Sequence, residues 1–449
     1  MKQLSLFDSL EPPARDRADS YLQIAGDLPL DLPRDAFVSL QRTPPLKIYA
    51  LGFQPAKSIP EIPRWFLQKY GSENFTVLEP FAGSGTTILE SLRSGARVDW
   101  LDYQPLSRLI CQVKTTRFNL WAVREATLQI LERTTQYKRI PQTIDFANKD
   151  FWFQKPVQDG LEILRTCILE SCDTLQPILW LAFAATVRKT SDMNDGMILA
   201  AKRSRVEKIP QRSRQDVFQS FKFYIDKAVE AVGEWQSILN AEILERAREF
   251  PSNNALDLQG DRKFDAIVTS PPYINAIDYV WASKFELHWL EFVKTNRDRL
   301  NLYSREIGTE RIPKKECQEL GVSGNQQLDR LIEEIYFARK YQASSGQNQL
   351  RARVVYQYFM DMKTHFYQCF ELLEPGGYYC LAIGDSSKIC GVEIPVASLL
   401  KDLAVEIGFR QTFQFHLLLK NRKLNLPRNI RWASTIKHDT VLVLEKSKP

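Results

Sequence analysis

The stretch Val77-Leu78-Glu79-Pro80-Phe81-Ala82-Gly83-Ser84-Gly85-Thr86-Thr87 decides the fold of this 449-residue chain. The apolar run 75–78 predicts a short buried strand that ends at Pro80, and an amphipathic helix is predicted to begin at Thr86. The glycines between them let backbone amides approach a ligand closely, and the helix N-terminus favours negative charge. A second predicted strand ends at Asp102, about twenty residues past the glycines, where such folds hold a pair of ribose hydroxyls.

More than one kind of nucleotide site shares this sequence of strand, glycine turn and helix. A phosphate-binding P-loop requires Gly-Lys-Ser or Gly-Lys-Thr, and the stretch contains no lysine. A dinucleotide site favours a third glycine three residues after Gly85, where this chain has Ile88. A chance glycine turn in an α/β domain is a further alternative. The stretch alone therefore predicts a ligand-binding turn and leaves the ligand open.

A second motif, Ser270-Pro271-Pro272-Tyr273, directly follows the predicted buried strand 264–269. Proline cannot continue a strand ladder, so the pair ends the strand, fixes the backbone and leaves carbonyl groups free to accept hydrogen bonds. Tyr273 adds a flat aromatic face on which a nucleobase can stack. The alternative is a proline turn beside a tyrosine of the core. Both motifs lie where strands end, which is the edge of such a sheet that binds cofactor and substrate.

Together the two motifs resemble motifs I and IV of the amino-group DNA methyltransferases, which bind S-adenosylmethionine. Because motif I comes first, the chain resembles the subgroups that place the cofactor half before the catalytic motif. The resemblance assigns to the cofactor Glu79, Pro80, Phe81, Ala82, Gly83, Ser84, Gly85, Thr86, Asp102 and Tyr103. It assigns to catalysis Ser270, Pro271, Pro272 and Tyr273. Residues 53–62 are a looser match to the segment that closes over the methionine end of the cofactor.

The chain departs from the pattern of that family at two places. Motif I begins with Glu79 where aspartate is commoner, which is a conservative change. The acid expected after the third strand, near the adenine of the cofactor, has no clean match, since Asn254 and Asp257 are both candidates. The resemblance therefore leaves the adenine pocket undefined.

The chemistry of amino methylation explains why these residue types are needed. The lone pair of an exocyclic amine is delocalised into its ring, so the amine is a poor nucleophile. If Ser270 Oγ and the Pro271 carbonyl accept hydrogen bonds from the amine, its nitrogen is drawn toward tetrahedral geometry and its lone pair is directed at the methyl group. The main contributions are then positioning and electrostatics. Because the target lies inside a duplex, the base must first be flipped out.

Ser-Pro-Pro-Tyr is typical of the N4-cytosine enzymes of the family, whereas Asp-Pro-Pro-Tyr is commoner among N6-adenine enzymes. We therefore expect N4-cytosine methylation of double-stranded DNA, with this chain as the modification enzyme of a restriction–modification system and a cognate restriction endonuclease acting on the same sequence. The alternatives are an N6-adenine enzyme, an RNA or protein-amide methyltransferase, and a non-catalytic DNA-binding module. Methylation at cytosine C5 is discarded, because it needs a Pro-Cys nucleophile and none of the seven cysteines follows a proline.

Strands and helices alternate along the chain, which predicts an α/β fold with a doubly wound, mostly parallel sheet and an antiparallel C-terminal hairpin. The resemblance implies the Rossmann-like class I methyltransferase fold. We expect a mobile tail over 1–20, the cofactor half over 21–118 and a helical insertion for DNA recognition over 119–250. The catalytic motif region follows over 251–300, then a polar insertion for DNA recognition over 301–353 and the rest of the core over 354–449.

Positive charge is concentrated in two stretches, although the net charge is only +6. Eight basic residues lie between positions 188 and 214, and six lie between positions 411 and 438, where no acid occurs. Either stretch alone is equally well a solvated face, but two beside a cofactor site favour a phosphate backbone as partner. The expected DNA contacts are Arg188, Arg203, Arg205, Lys420, Arg422, Lys423 and Arg428.

The composition of the sequence predicts where the protein is located and whether it contains disulfides or a metal site. The sequence has no run of eighteen apolar residues, and its start lacks the apolar stretch of a secretion signal, so a cytoplasmic protein is expected. Its cysteines are scattered without a Cys-x-x-Cys pair, which favours free thiols. None of the four histidines has a metal-ligand spacing, so no metal site is predicted.

The first residues contain a short match to a docking peptide. Gln3-Leu4-Ser5-Leu6-Phe7 resembles the pentapeptide by which bacterial proteins bind the replication sliding clamp. Leu6 and Phe7 suit an apolar pocket, and few residues would need ordering. The alternative is that these side chains pack against the core of this protein.

Overall fold

The computed structural model describes residues 21–194, 197–202, 209–274, 277–338, 347–419 and 436–448. The strands of these residues are β1 (Leu22–Ala25), β2 (Phe37–Gln41), β3 (Thr76–Glu79), β4 (Arg97–Trp100), β5 (Ala247–Glu249), β6 (Phe264–Thr269), β7 (Leu373–Gly384), β8 (Ser387–Ile389), β9 (Val392–Ile394), β10 (Phe409–Leu418) and β11 (His438–Lys446). The helices of the first half are α1 (Lys47–Ala50), α2 (Glu61–Tyr70), α3 (Thr86–Arg93), α4 (Pro105–Thr115), α5 (Leu120–Thr134), α6 (Lys149–Trp152), α7 (Lys155–Leu169), α8 (Gln176–Thr190), α9 (Arg214–Ile238) and α10 (Ala241–Leu244). Those of the second half are α11 (Tyr279–Ala282), α12 (Lys284–Trp289), α13 (Asn296–Tyr303), α14 (Gln326–Tyr336), α15 (Gln347–Leu372) and α16 (Val396–Ile407).

Nine of these strands form one sheet in the order β1-β2-β10-β11-β7-β6-β3-β4-β5, and β8 pairs with β9 separately. Within the sheet, β11 is antiparallel to both of its neighbours and the remaining pairs are parallel. The chain runs outward from β3 through β4 to β5, then returns to the other side of β3 with β6 and β7. Ligands bind where the winding direction of such a sheet changes, which here is between β3 and β6.

The sheet is buried on both faces, as a doubly wound fold requires. Val77 and Leu78 are neighbours in β3 and are both fully buried, yet they belong to two different hydrophobic clusters on opposite faces. This alternation follows from the two-residue period of a strand. The α/β fold with a mostly parallel sheet and an antiparallel C-terminal hairpin is thereby confirmed, and it is consistent with a class I methyltransferase fold.

The described residues of the segment 119–250 are mostly helical, apart from β5 and the loops, and they share a core with the cofactor half. Residues of α5, α7, α8 and α9 belong to the same hydrophobic cluster as Val77 and Val98 of the central strands. The indole Nε1 of Trp235 in α9 donates to the Lys114 carbonyl at the end of α4 (3.1 Å). The Gln236 side chain bonds both backbone groups of Phe118, at 3.2 and 3.0 Å. The insertion is therefore continuous with the core.

Two further pieces of regular structure lie before α2 and in the polar insertion. The proline-rich part of the chain before α2 contains β2, which pairs with β10 and carries β1 at the edge of the sheet. In the polar insertion, α14 buries Leu328, Ile332 and Ile335, which are spaced as one helix face. The sequence around this short apolar pattern is polar and contains Gly321 and Gly324, which makes the helix hard to predict. None of the helices in the described ranges is long and apolar enough to cross a membrane.

Trp235→Phe is expected to lower the free energy of unfolding of the whole protein by about 1–3 kcal/mol, because the Lys114 carbonyl loses its buried donor and the smaller ring leaves a cavity. Urea unfolding followed by circular dichroism measures this. Trp121→Phe is the matched control, because Trp121 in α5 of the same insertion is 70% exposed. Equal stability of both variants would contradict a shared core.

Candidate functional site

Three adjacent parallel strands, β4, β3 and β6, end at one edge of the sheet, and their following loops form the candidate site. The loop after β3 is the glycine turn, the loop after β4 contains Asp102, and the loop after β6 is Ser270-Pro271-Pro272-Tyr273. The structure thus brings together both motifs that the sequence singles out. Positions almost two hundred residues apart in the chain become neighbours because β3 pairs directly with β6.

The glycine turn is held by Asp102. Gly83 and Gly85 have φ angles of +51° and +79°, in the left-handed region that favours glycine, and Gly85 caps the N-terminus of α3. Asp102 Oδ2 accepts a hydrogen bond from the Gly83 amide (2.8 Å), and Oδ1 accepts one from the Gln104 amide (2.8 Å). Burial raises the pKa of Asp102 to about 6. The acid therefore fixes the turn and retains lone pairs for a ligand.

Glu79 links the two motifs. Its Oε1 accepts hydrogen bonds from the Phe81 amide (3.0 Å) and from the Thr269 hydroxyl at the end of β6. The residue is 3% exposed, and burial raises the pKa of its carboxyl to about 7. Because Thr269 directly precedes Ser270, this carboxyl sets the position of the Ser-Pro-Pro-Tyr loop relative to the glycine turn.

A buried lysine of α4 binds the backbone of the glycine turn. Lys114 in α4 is 1% exposed, and its Nζ donates to the Ser84 carbonyl (2.7 Å). Burial lowers the pKa of Lys114 to about 7. A Cβ atom at Gly85 would lie 3.6 Å from Lys114 Cδ, so the aliphatic part of the lysine lies beside the turn.

The segment predicted to close over the methionine end, 53–62, does lie against the turn. Gln54 Nε2 donates to the Gly83 carbonyl (3.4 Å) and to Ser107 Oγ (2.5 Å). Thr86 Oγ1 donates to the Ser58 carbonyl (3.3 Å). One wall of the site is therefore built from this segment.

Each residue of the Ser-Pro-Pro-Tyr loop with a described contact is held by a different element. Ser270 Oγ donates to the Ala382 carbonyl in β7 (3.0 Å). The Pro272 carbonyl accepts from Tyr358 Oη in α15 (3.0 Å), and Tyr273 Oη donates to Asp439 Oδ1 in β11 (2.6 Å). Because the Ser270 proton is directed at Ala382, the oxygen presents lone pairs in other directions. Ser270 is thereby oriented as an acceptor.

Sequence reasoning missed a buried carboxyl beside Tyr103. Glu306 follows α13 in the polar insertion, is 4% exposed, and its Oε1 accepts from the Tyr279 amide (2.9 Å). Glu306 Oε2 and the Tyr103 hydroxyl are both buried, and the two side chains interact, because the pKa of Tyr103 is raised by burial and by the Glu306 carboxyl. Burial raises the pKa of Glu306 to about 8, so the carboxyl is neutral near pH 7. No motif marks this residue in the sequence.

The sequence predicts that Arg188 contacts DNA, but its side chain does not lie on an open surface. Its guanidinium stacks on the Phe53 ring, 3.4 Å from the centroid, and its Nε donates to Glu286 Oε1 (2.6 Å). The side chain is 15% exposed. It therefore joins α8 to the segment before the glycine turn and to α12. The other expected DNA contacts lie outside the described residues, namely Arg203, Arg205, Lys420, Arg422, Lys423 and Arg428.

The site suits a polar ligand with a ribose-like diol and a heterocyclic ring. The glycine turn lies at an α-helix N-terminus, Asp102 lies beside it, and the buried Tyr103 hydroxyl and Glu306 carboxyl interact with one another. Within the described ranges, no group of three or more His, Cys, Asp or Glu side chains is arranged to hold a metal ion.

Three known proteins are similar to this chain over most of their length. The type II methyltransferase M.MvaI of Kocuria varians is 23% identical over 416 residues, which cover 84% of this chain and 85% of that protein. M.AvaI of Nostoc sp. (strain PCC 7120) is 24% identical over 413 residues, covering 80% and 81%. M.BsoBI of Geobacillus stearothermophilus is 25% identical over 420 residues, covering 81% and 79%. No protein-family model matches the chain.

Glu306→Gln is expected to make stability less sensitive to pH. The Glu306 pKa of about 8 lies above the ordinary 4.5, so between these values the folded state holds a proton that the unfolded chain releases. The contribution of Glu306 to wild-type stability therefore falls as pH rises through this window, by at most about 1.4 kcal/mol per pH unit. The stability of the Glu306→Gln variant lacks this contribution to the fall with pH, because glutamine does not titrate.

Urea unfolding at about pH 5 and about pH 8.5 measures the difference, with the exposed Glu319→Gln as control. The Glu306 variant should gain stability relative to wild type at the higher pH. A stability difference that is the same at both pH values would show that Glu306 does not titrate in this range.

Proposed function

We propose that this protein is a site-specific DNA methyltransferase that transfers a methyl group from S-adenosylmethionine to the N4 amine of a flipped cytosine in double-stranded DNA. We also propose that it is the modification enzyme of a restriction–modification system. The similar proteins are type II methyltransferases, and the similarity extends over about four fifths of the chain. The observation that carries the proposal is the position of Ser270, oriented as an acceptor and linked through Thr269 and Glu79 to the glycine turn.

The glycine turn and Asp102 fit the cofactor. When bound, S-adenosylmethionine supplies an electrophilic methyl group on a positively charged sulfur. The N-terminus of α3 favours its carboxylate, and the remaining lone pairs of Asp102 suit the ribose hydroxyls. Gln54 and Ser58, at the wall formed by 53–62, lie at the end assigned to the methionine moiety.

Glu306 is the better candidate for the acid of the adenine pocket than the two residues that the sequence suggests. Asn254 Oδ1 accepts from the Leu256 amide in its own turn (3.1 Å), and Asp257 is exposed and bonded to Gln259. The Glu306 carboxyl is buried beside Tyr103, directly after Asp102. A neutral carboxyl both donates and accepts, which matches the adjacent ring nitrogen and amine of adenine.

The Ser-Pro-Pro-Tyr loop accounts for the chemistry without a covalent intermediate. Ser270 Oγ and the Pro271 carbonyl accept the two amine hydrogens, so the nitrogen lone pair points at the methyl carbon. With the cofactor bound, its S–C bond would be exchanged for the new N–C bond, and the methylated amine would release one proton to solvent. A serine serves as acceptor only if its own proton is bound elsewhere, and the Ala382 carbonyl takes that proton. The Tyr273 ring supplies the stacking surface for the flipped base.

DNA contacts and partners complete the proposal. The basic segment 420–435 joins β10 to β11 in the chain, and we propose that Lys420, Arg422, Lys423 and Arg428 bind phosphates. A cytoplasmic location and a cognate restriction endonuclease follow from the proposed role. Clamp docking by residues 3–7 remains a proposal, since these residues lie outside the described part of the chain.

Two measurements on purified protein test the proposed function. Calorimetry should show heat on titration with S-adenosylmethionine, and mass spectrometry of nucleosides from plasmid incubated with protein and cofactor should detect N4-methylcytosine. Heat with ATP or NAD alone would refute the cofactor, and N6-methyladenine alone would refute the base. Methyl transfer to RNA or protein alone would refute DNA as substrate, and no transfer would support a binding module.

Ser270→Ala is expected to lower the methylation rate about 100-fold or more, because a preorganised acceptor is removed, while cofactor affinity changes less than about twofold. Ser237→Ala is the matched control, since its hydroxyl also donates to a backbone carbonyl but lies on the exposed face of α9. An active Ser270→Ala enzyme would contradict the assigned role.

Replacing Lys420, Arg422, Lys423 and Arg428 with alanine should weaken binding similarly on all DNA sequences. The slope of log affinity against log salt should flatten by about 0.9 for each phosphate that the variant no longer binds. Fluorescence anisotropy over a salt series measures this, with the exposed Lys222 and Lys227 of α9 as controls. A changed target sequence with an unchanged slope would show instead that this segment reads bases.

A further inference from the structure

The tyrosine of the Ser-Pro-Pro-Tyr loop is anchored by a residue that neither motif contains. Tyr273 Oη donates to Asp439 Oδ1 at 2.6 Å, across 166 positions of sequence. Asp439 is 5% exposed, so this hydrogen bond lies in a largely dry environment. A hydrogen bond from a neutral donor to a carboxylate in such surroundings is stronger than one between two neutral groups.

Asp439 is itself fixed by the sheet. It is the second residue of β11 and pairs with Gly384 of β7 on one side and with Leu417 of β10 on the other. Its neighbour Thr440 donates from Oγ1 to Asp385 Oδ1 (3.0 Å). The carboxyl is therefore presented from a strand inside the sheet, where backbone positions vary least.

The ring of Tyr273 is fixed as well as its hydroxyl. A Cβ atom at Gly384 would lie 3.1 Å from Tyr273 Cδ2 and 2.8 Å from Ile436 Cδ1. The edge of the ring thus lies close to the backbone of Gly384, and a Cβ atom there would require the ring to move by a few tenths of an ångström. Two contacts at different points of one side chain, the Oη hydrogen bond and the Cδ2 packing, select a single rotamer.

We infer that Asp439 is a positioning residue that holds the Tyr273 ring as a preformed stacking surface for the base. The inference rests on the proposed function and adds to it the residue that orients the ring on which the base stacks. A base that enters from the duplex meets a ring already oriented, so the ordering of that side chain is complete before binding. Asp439 acts through Tyr273 and does not itself contact the base or the cofactor.

Four variants test this inference: Tyr273→Phe, Asp439→Ala, Asp439→Asn and the double variant Tyr273→Phe/Asp439→Ala. Methylation kinetics on plasmid DNA should show kcat/KM lowered about 10-fold by each of the first two, with cofactor affinity from calorimetry changed less than about twofold. The double variant should also lose about 10-fold, because both changes break one hydrogen bond. Asp439→Asn keeps an acceptor oxygen and should restore part of the activity.

A second readout does not depend on catalysis. In protein labelled with 3-fluorotyrosine, the ¹⁹F signal that disappears in Tyr273→Phe belongs to Tyr273. It should be single and sharp in the wild-type protein, and shifted and broadened in Asp439→Ala, where the ring samples several rotamers. Asp226→Asn, an exposed residue of α9, is the control and should leave the signal unchanged.

The outcomes separate this inference from the function on which it rests. If the wild-type protein transfers no methyl group to plasmid DNA, the proposed function fails. If the wild type is active but Asp439→Ala changes neither kcat/KM nor the ¹⁹F signal, the inference alone fails. A double variant that loses about 100-fold would also overturn it, since independent effects multiply. Partial rescue by Asp439→Asn with non-additive losses would support it.

Discussion

One buried carboxyl, Glu79, holds the site together. It accepts hydrogen bonds from the backbone of the glycine turn and from Thr269, the last residue before the Ser-Pro-Pro-Tyr loop. Removing it would leave a part-buried amide and a buried hydroxyl without this acceptor, and an unsatisfied buried hydroxyl costs roughly 1–3 kcal/mol. The sheet register aligns β3 with β6, and the Glu79–Thr269 hydrogen bond helps to set the distance between their loops. In the proposed reaction, that distance separates the methyl donor from the amine.

Neighbouring strands and helix α15 orient the Ser-Pro-Pro-Tyr loop. Ala382 of β7 takes the Ser270 proton, Tyr358 of α15 binds the Pro272 carbonyl, and Asp439 of β11 holds Tyr273. Each partner lies in a regular element, so the loop is as rigid as the fold around it. In the proposed mechanism, this four-residue loop therefore needs neither a metal ion nor a covalent nucleophile. Its contribution is fixed geometry before the substrate arrives.

The local parts of this site were readable in the sequence, and the long-range parts were not. The strand, the turn at Gly83 and Gly85, helix α3 and Asp102 follow from periodicity and glycine chemistry, and the structure forms all of them. Glu306 and Asp439 lie in segments without a motif, and only the folded chain brings them to Tyr103 and Tyr273. Arg188 shows the converse, because positive charge predicted a phosphate contact where Phe53 and Glu286 bury the guanidinium. The positive charge of a residue does not show from the sequence alone whether it pairs with another side chain of the same protein.

A crystal structure with S-adenosylhomocysteine and duplex DNA containing the methylated site tests the central claim most directly. The account predicts that the sulfur lies between the glycine turn and Ser270, and that a flipped cytosine stacks on Tyr273. Its amine nitrogen should be about 3 Å from both Ser270 Oγ and the Pro271 carbonyl oxygen. A cofactor bound away from Gly83 and Asp102, or a flipped base whose amine makes no hydrogen bond to Ser270, would contradict it.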